Sequence, residues 1–213
     1  MRYFMSNRAA FLDRDGVINR KASGDGYVTR WQDMRFLPGV AKSISLLNQA
    51  GFQVFVVSNQ RCVAKGLVTC RMLDSMHDHM CEWLAAAGAK IDGVYYCPHD
   101  KQPPCTCRKP APGMILTAAR EHDVDLAASW MIGDSEIDVE AGKRAGCKTV
   151  RLLQRNKKPN GCADLVARSL LAATYQILRR EKVLFQAANT SRRNNTRKAE
   201  NVVINMSQHR RSL

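Results

Sequence analysis

The 213-residue sequence contains no apolar run that approaches the roughly 20 residues needed to span a bilayer. Its opening stretch, MRYFMSNRAAFLDRDG, reaches a charged cluster before the apolar core of a signal peptide can develop. The sequence also lacks an internal repeat, which argues against solenoid and propeller architectures. These absences predict a cytoplasmic protein with no membrane partner.

Acidic residues are scarce, since 19 Asp and Glu face 33 Lys and Arg and leave a formal net charge of +14. Residues 186–213 carry six Lys or Arg and one Glu in an Asn- and Ser-rich stretch, which predicts a disordered basic tail after a domain spanning residues 1–185. The remaining charge of +9 suits either a nucleic acid or the steering of a small anionic substrate. We expect nucleic acid to bind at most weakly, through the tail.

The eight cysteines do not form a disulfide framework, because the chain is long enough to bury a core and carries no export signal. Five of them are scattered singly, and we expect these to be buried small apolar side chains. They are Cys62, Cys70, Cys81, Cys147 and Cys162. The other three cluster at positions 97, 105 and 107.

Short β-rich runs alternate with helical periodicity between residues 9 and 180. Strands are predicted at 9–13, 52–58, 91–97, 129–134 and 147–153, and helices at 38–51, 112–122 and 135–146, with a short extended piece and a helix within 163–181. The apolar stripe Met72, Met76, Met80, Trp83 and Leu84 predicts a further helix facing the core. This alternation is typical of an α/β fold with a doubly wound parallel sheet.

Ligands bind to such sheets outside the carboxyl ends of the strands, and polar residues follow four of the predicted strands. They are Asp13-Arg14-Asp15-Gly16, Ser58-Asn59-Gln60, Arg108-Lys109 and Gly133-Asp134. A hard cation such as Mg²⁺ would stabilise Asp13 and Asp134 at one site. Ser58 and Lys109 suit non-bridging phosphoryl oxygens, although each taken alone is more typical of an ordinary loop residue.

The segment CPHDKQPPCTC supplies Cys97, His99, Cys105 and Cys107, three thiolates and an imidazole that suit tetrahedral zinc. A redox pair at Cys105 and Cys107 is disfavoured because C-x-C lacks the usual C-x-x-C spacing. Four protein ligands leave no open position for water, which predicts a structural ion. Because Cys107 directly precedes Arg108 and Lys109, fixing this loop would aim those two cations.

In order, LDRDG, VVSNQ, RKP and IGDSEID resemble the four motifs of the haloacid dehalogenase superfamily of phosphatases. The resemblance implies that Asp13 is the nucleophile and forms an aspartyl-phosphate. Asp15 would protonate the leaving alkoxide and later deprotonate the hydrolytic water. Ser58 and Lys109 would stabilise the phosphoryl group.

The same resemblance implies that Mg²⁺ is held by Asp13, the backbone carbonyl of Asp15 and Asp134, with Asp138 as a weaker candidate behind them. YYCPHD, CTCRKPAPGM, GYV at 26–28 and FLPGV at 36–40 narrow the likeness to the D-glycero-D-manno-heptose-1,7-bisphosphate 7-phosphatases, which carry zinc and lack a large cap domain. The histidinol-phosphate phosphatases share the zinc loop and remain the nearest alternative. A zinc-stabilised basic nucleic-acid-binding protein is the alternative from another class.

Within that family, Arg108 is implied to recognise substrate, and Asn59, Gln60 and Arg61 are predicted to contact it. Arg61-Cys62 stands where the family often has Ser-Gly, and two extra residues follow Asn19. Arg61 is interpreted either as a ligand of a distal phosphate or as a surface arginine. We expect a monomer that acts on a small sugar phosphate.

Overall fold

A computed structural model describes residues 7–24, 26–153 and 162–181 of the chain. Within these ranges six strands form one sheet in which every pairing is parallel. The strands are β1 (Ala9–Leu12), β2 (Gln53–Asn59), β3 (Gly93–Cys97), β4 (Trp130–Gly133), β5 (Lys148–Leu152) and β6 (Leu165–Ala167). The predicted α/β class with a parallel sheet is confirmed.

Helices join the strands in the alternation that the sequence predicts. They are α1 (Val40–Gln49), α2 (Cys70–Ala86), α3 (Gly113–Glu121) and α4 (Glu136–Ala145), with 3₁₀ turns at Trp31–Asp33 and Leu126–Ala128. Thr69 caps α2 by accepting a hydrogen bond from the backbone N–H of Met72. Observed boundaries lie within two residues of the predicted ones for the strands and helices given above.

The strand order is β3-β2-β1-β4-β5-β6, so consecutive crossovers run outward from the centre in both directions. The order reverses between β1 and β4, which pair directly through Leu12 and Ile132. In doubly wound sheets a ligand crevice opens beyond the carboxyl ends of the strands at this reversal. Residues that follow β1 and β4 are therefore placed side by side.

Both faces of the central strands are covered, because all four residues of β1 and all four of β4 are buried. Phe11 and Phe55 stack across the β1–β2 pair with ring centroids 5.5 Å apart. Strands buried on both faces need continuous apolar runs rather than alternation, which is what AAFL and WMIG supply. In the described ranges, the helices are all too short or too polar to cross a membrane.

Two residues of the predicted core stripe on α2 lie outside the core. Met76, Met80 and Leu84 are buried, whereas the exposed fractions of Met72 and Trp83 are 53% and 46%. The prediction was wrong for these two because helical spacing cannot tell a core contact from a contact with a neighbouring surface loop. The Trp83 ring stacks on Phe36 with centroids 4.1 Å apart.

The five singly placed cysteines also differ from one another in burial. Cys62 and Cys147 are buried as expected, and Cys81 is half-buried. Cys70 and Cys162 are exposed, so the prediction of a buried apolar role was wrong for both. Cys70 opens α2 at the surface, where a helix start exposes its first residues to solvent.

The chain separates into two compact units, Met1–Thr174 and Tyr175–Leu213. Only residues 175–181 of the second unit are described, and these are helical. The predicted domain end at residue 185 and the basic tail 186–213 lie outside the described residues.

Candidate active site

Asp13 lies one residue beyond β1 and is fixed by contacts on both its main chain and its side chain. Its backbone N–H donates to the carbonyl of Ile132 at 3.0 Å. Lys109 Nζ donates to Asp13 Oδ1 at 2.8 Å and to the carbonyl of Val57 at 2.7 Å, and lies 2.7 Å from Asp138 Oδ1. Lys109 thus donates two hydrogen bonds within the site and forms an ion pair with Asp138.

Burial is the largest single influence on the pKa values of Asp13, Asp138 and Lys109. It raises the pKa of Asp13 to about 7, against the attraction of Lys109. Burial acts on Asp138 in the same direction, but the Lys109 charge outweighs it and holds the pKa of Asp138 below its usual range. Burial would lower the pKa of Lys109, yet the two carboxylates raise it above its usual value. Lys109 therefore stays charged and keeps two buried carboxylates together.

Three carboxylates converge where β1 and β4 end. One oxygen from each of Asp13, Asp134 and Asp138 lies within 4.8 Å of the others. Asp134 Oδ2 is 2.8 Å from Lys21 Nζ, whereas Asp134 Oδ1 is buried without a hydrogen-bond partner among the described residues. A buried, unpartnered carboxylate oxygen facing two further carboxylates suits a hard divalent cation.

Two glycines allow these acids to approach one another. A Cβ on Gly133 would lie 2.1 Å from the Cβ of Asp138, so only glycine lets α4 begin this close to the end of β4. Gly16 has φ +98°, and a Cβ there would lie 2.3 Å from Asp134 Oδ2. Asp138 Oδ2 also accepts the backbone N–H of Ser135 at 3.0 Å, which closes the first turn of α4.

Asp15 is not one of the three clustered carboxylates and is held by its own set of donors. The Arg14 guanidinium contacts both carboxylate oxygens, Asn19 Nδ2 donates to Oδ1 at 2.8 Å and Gln60 Nε2 donates to Oδ2 at 3.0 Å. Burial raises the pKa of Asp15, but the charge of Arg14 and the hydrogen bonds from Asn19 and Gln60 outweigh it, so the pKa lies below its usual value. About a quarter of the Asp15 side chain remains exposed.

The SNQ segment at the end of β2, Ser58 to Gln60, forms hydrogen bonds that fix other residues of the site. Ser58 is buried, and its hydroxyl accepts a hydrogen bond from Gln60 Nε2 at 2.8 Å. Gln60 is also buried, so in this structure it contacts Asp15 rather than an open cavity. Asn59 exchanges two 3.0 Å hydrogen bonds with the backbone of Lys109 and thereby ties the loop after β3 to β2.

Four sulfur and nitrogen atoms meet in the loop that follows β3. The Cys97 and Cys105 sulfurs are 3.6 Å apart, the Cys105 and Cys107 sulfurs 3.4 Å, and His99 Nδ1 lies 3.2 Å from Cys107 Sγ. All four ligand atoms lie within 4.8 Å of one another, and the three cysteines are free. Ligands about 2.0–2.3 Å from a tetrahedral zinc ion are separated by similar distances.

A cavity of about 450 Å³ opens beside Asn59 and is rich in cations. Its lining residues are Gly26, Tyr27, Asn59, Arg61, Lys65, Lys101 and Arg108. Arg61 forms a two-point ion pair with Asp100 at 2.6 and 3.0 Å, and Arg108 donates to the carbonyl of His99 at 3.2 Å. The loop containing the Cys/His cluster thus supplies one wall of this cavity.

This chain is similar in sequence and in fold to known proteins. A family model described as HAD-hydrolase-like matches residues 106–173. A D-glycero-beta-D-manno-heptose-1,7-bisphosphate 7-phosphatase of Rhodopseudomonas palustris is 45% identical over 145 residues, which cover 65% of this chain and 79% of that protein. A D-glycero-D-manno-heptose-1,7-bisphosphate 7-phosphatase of Thermosynechococcus vestitus is 36% identical over 192 residues, which cover 81% of this chain and 96% of that protein.

The chain belongs to this phosphatase family. A crystal structure of the D,D-heptose 1,7-bisphosphate phosphatase from B. bronchiseptica, complexed with magnesium and phosphate, matches with a TM-score of 0.72 and 35% identity. The match covers 81% of this chain and 99% of that protein. The resemblance drawn from the four sequence motifs is therefore confirmed, and so is the enzyme class, a phosphoric monoester hydrolase.

Sequence reasoning missed three side chains that the structure places in or behind the site. Asn19 contacts Asp15, Lys21 pairs with Asp134, and His77 of α2 contacts Arg14. Lys21 lies in the segment after Asn19 that carries two extra residues, which was the one signal available for it. No motif marks His77, because it is an ordinary buried position in the helical pattern of α2.

Proposed function

We propose that this protein is a Mg²⁺-dependent phosphatase that removes the 7-phosphate of D-glycero-D-manno-heptose 1,7-bisphosphate through an aspartyl-phosphate on Asp13. The observation that carries the proposal is the convergence of Asp13, Asp134 and Asp138, two of which pair with Lys109, beside a cation-lined cavity. The relatives named for this substrate, and the related structure complexed with magnesium and phosphate, support it.

In the first step an Asp13 carboxylate oxygen forms a bond to phosphorus while the bond from phosphorus to the sugar oxygen breaks. A proton moves from Asp15 to that leaving oxygen. The pKa of Asp15 is low in the substrate-free site, and the negative charge of a bound phosphate beside it raises that pKa toward the range an acid requires. Asp15 thus gains its proton as substrate binds.

In the second step a water molecule gives a proton to Asp15 and bonds to phosphorus as the bond to Asp13 breaks. Inorganic phosphate leaves, and Asp13 is regenerated as a carboxylate. Ser58 and Lys109 stabilise the phosphoryl oxygens. The Lys109 ammonium must exchange one of its present acceptors for a phosphoryl oxygen to do so.

The carboxylate residues fit Mg²⁺, since Asp13, the backbone carbonyl of Asp15 and Asp134 supply oxygen ligands and Asp134 Oδ1 has no other described partner. Asp138 would act behind these ligands, by holding Lys109 in place through their ion pair. When bound, the ion neutralises negative charge on the phosphoryl group and the carboxylates. Asp13 would then be ionised at neutral pH, because a nearby cation lowers the pKa that burial raises.

The distal 1-phosphate would occupy the cavity lined by Arg61, Lys65, Lys101 and Arg108. A dianion there gains from four cations, of which Arg61 is paired with Asp100. Arg61 can serve as a ligand only by sharing or leaving Asp100. Asn59 and Gln60 would position Lys109 and Asp15, respectively, through their hydrogen bonds.

Histidinol phosphate, which has no second phosphate, is the competing substrate. A panel of both heptose bisphosphate anomers and histidinol phosphate, assayed for phosphate release with Mg²⁺, separates the two. We expect kcat/KM for at least one heptose bisphosphate to exceed that for histidinol phosphate by about two orders of magnitude, because two charged contacts of about 1.5 kcal/mol each are added. Equal or greater efficiency on histidinol phosphate would reassign the substrate.

We infer a structural zinc ion at Cys97, His99, Cys105 and Cys107. Elemental analysis of purified protein should find about one zinc per chain. Cys105→Ser should lower that content severalfold and weaken phosphate binding, because the loop that carries Lys109 loses its cross-link. Cys162→Ser, at an exposed cysteine outside the cluster, is the matched control and should retain the zinc. Full activity in zinc-free protein would overturn the assignment.

Deletion of the basic tail distinguishes the phosphatase function from the nucleic-acid alternative. Deleting residues 186–213 should leave kcat on the sugar phosphate within a few-fold, because the proposed site is built from residues 13–138. Any retention of DNA or RNA should fall steeply with salt and largely vanish with the tail. Tight, salt-resistant binding by the truncated protein would favour a nucleic-acid function. The monomeric state and the cytoplasmic location stay predictions.

A further inference from the structure

Arg14 is an arginine with no exposed surface, although it lies between two residues of the proposed active site. Its guanidinium contacts Asp15 through Nε and one terminal nitrogen, and that nitrogen also lies 3.3 Å from the carbonyl of Val28. The other terminal nitrogen lies 3.2 Å from Nε2 of His77. A buried guanidinium needs an acceptor for each of its donors, and His77 provides one of them.

His77 is buried on α2 and is held in its neutral form. Burial, together with the charge of Arg14, lowers the pKa of His77 to about 3. Arginine only donates, so Nε2 must be the acceptor and the ring proton must lie on Nδ1. Nδ1 has no hydrogen-bond partner among the described residues. The imidazole thus leaves one buried polar atom unsatisfied while it contacts Arg14.

We propose that His77 is a positioning residue for the reaction, which acts through Arg14 to fix the carboxyl group of Asp15 against the leaving oxygen. The proposal rests on the proposed function, because it requires Asp15 to be the general acid. General acid catalysis demands hydrogen-bond reach to the leaving oxygen, so a small rotation of Asp15 removes most of its contribution. Asn19 and Gln60 still hold Asp15 when His77 is changed, so a partial loss follows.

The test compares kcat/KM for an alkyl and an aryl phosphate, because kcat/KM of a two-step hydrolase covers the steps up to release of the leaving group. It excludes the second step, in which Asp15 acts as the base for both substrates. An alkoxide leaving group needs the proton from Asp15, whereas p-nitrophenolate leaves without it. His77→Leu should lower kcat/KM for the heptose bisphosphate by about 10-fold or more, and kcat/KM for p-nitrophenyl phosphate by less than about 3-fold.

His77→Gln places an amide oxygen close to the position of Nε2 and should restore kcat/KM for the heptose bisphosphate to within about 3-fold. His77→Asn carries the same amide one bond shorter, out of reach of Arg14, and should resemble His77→Leu. This pair decides the question even if the leucine variant fails to fold. His79→Gln, at an exposed histidine on the same helix, is the matched control and should leave both substrates unaffected.

Asp15→Asn separates a failure of this proposal from a failure of the proposed function. If Asp15→Asn lowers kcat/KM equally for both substrates, Asp15 is not the general acid and the proposed mechanism fails with the positioning role. If Asp15→Asn is selective for the alkyl phosphate but His77→Leu slows both equally, His77 is merely structural. Equal kcat/KM on the heptose bisphosphate for the glutamine and asparagine variants would also overturn the positioning role.

Discussion

Asp13→Asn should lower turnover of the heptose bisphosphate by at least about three orders of magnitude. The amide cannot attack phosphorus to form the acyl phosphate, so the covalent route is closed. The variant should fold, because an amide oxygen can still accept from Lys109 and burial disfavours the charge on the native carboxylate. Steady-state kinetics and a thermal unfolding curve measure the two effects.

Asp33→Asn is a suitable control, since Asp33 is an exposed acid paired with Arg30 outside the site. It should keep turnover within about two-fold of the native protein. If Asp13→Asn retained near-native turnover after deamidation to Asp had been excluded by mass spectrometry, another group would be the nucleophile.

Lys109→Met should damage both catalysis and stability. The substitution leaves Asp13 and Asp138 as a buried pair of carboxylates with no cation between them. Breaking a buried ion pair costs about 3–5 kcal/mol of unfolding free energy. Loss of a charge aimed at the phosphoryl group should lower kcat by about two orders of magnitude or more.

The stability loss should depend on pH in a defined direction when Mg²⁺ is absent. Without Lys109, burial and mutual repulsion hold the pKa values of both carboxyls above those of the unfolded chain. The folded state then binds more protons, so the unfolding free energy of the variant falls as pH rises from about 4 to 8. Urea unfolding at pH 5 and pH 8 should give the larger difference from the native protein at pH 8.

Lys90→Met is the control for charge removal, because the Lys90 side chain is 76% exposed and its partner Asp92 keeps a hydrogen bond from the backbone N–H of Val54. Surface pairs contribute about 1 kcal/mol or less, so this variant should differ little from the native protein at either pH. A Lys109→Met variant as stable as Lys90→Met, or equally destabilised at both pH values, would contradict the buried ion pair described above.

Much of the fold follows from the sequence because its central strands are short, nearly continuous apolar runs. AAFL, QVFVVSN and WMIG are buried nearly throughout, and a strand covered by helices on both faces requires this pattern. The chemistry then falls where parallel strands end, so Asp13 and Asp134 can be placed without knowledge of the strand order. The structure adds that β1 and β4 are direct neighbours, which brings the two acids together.

Contacts between segments that are far apart in the sequence could not be predicted in the same way. Trp83 looks like a core residue by spacing, yet it stacks on Phe36, which lies in a loop 47 positions earlier. Arg14 looks like a solvated charge beside two acids, yet it is completely buried by contacts with Val28 and His77. Both outcomes depend on which distant segments of the chain pack together, and the local pattern of apolar residues carries no information about that.

The transfer of the 7-phosphoryl group to Asp13 can be measured directly by rapid quenching of the protein with Mg²⁺ and substrate labelled with ³²P in one phosphate at a time. Label at position 7 should appear transiently on the peptide that contains Asp13, should be released by hydroxylamine as expected of an acyl phosphate, and should be absent from Asp13→Asn. Label at position 1 should remain on the sugar. Transfer of the 1-phosphate, or release of the 7-phosphate without any label on the protein, would contradict the proposed reaction.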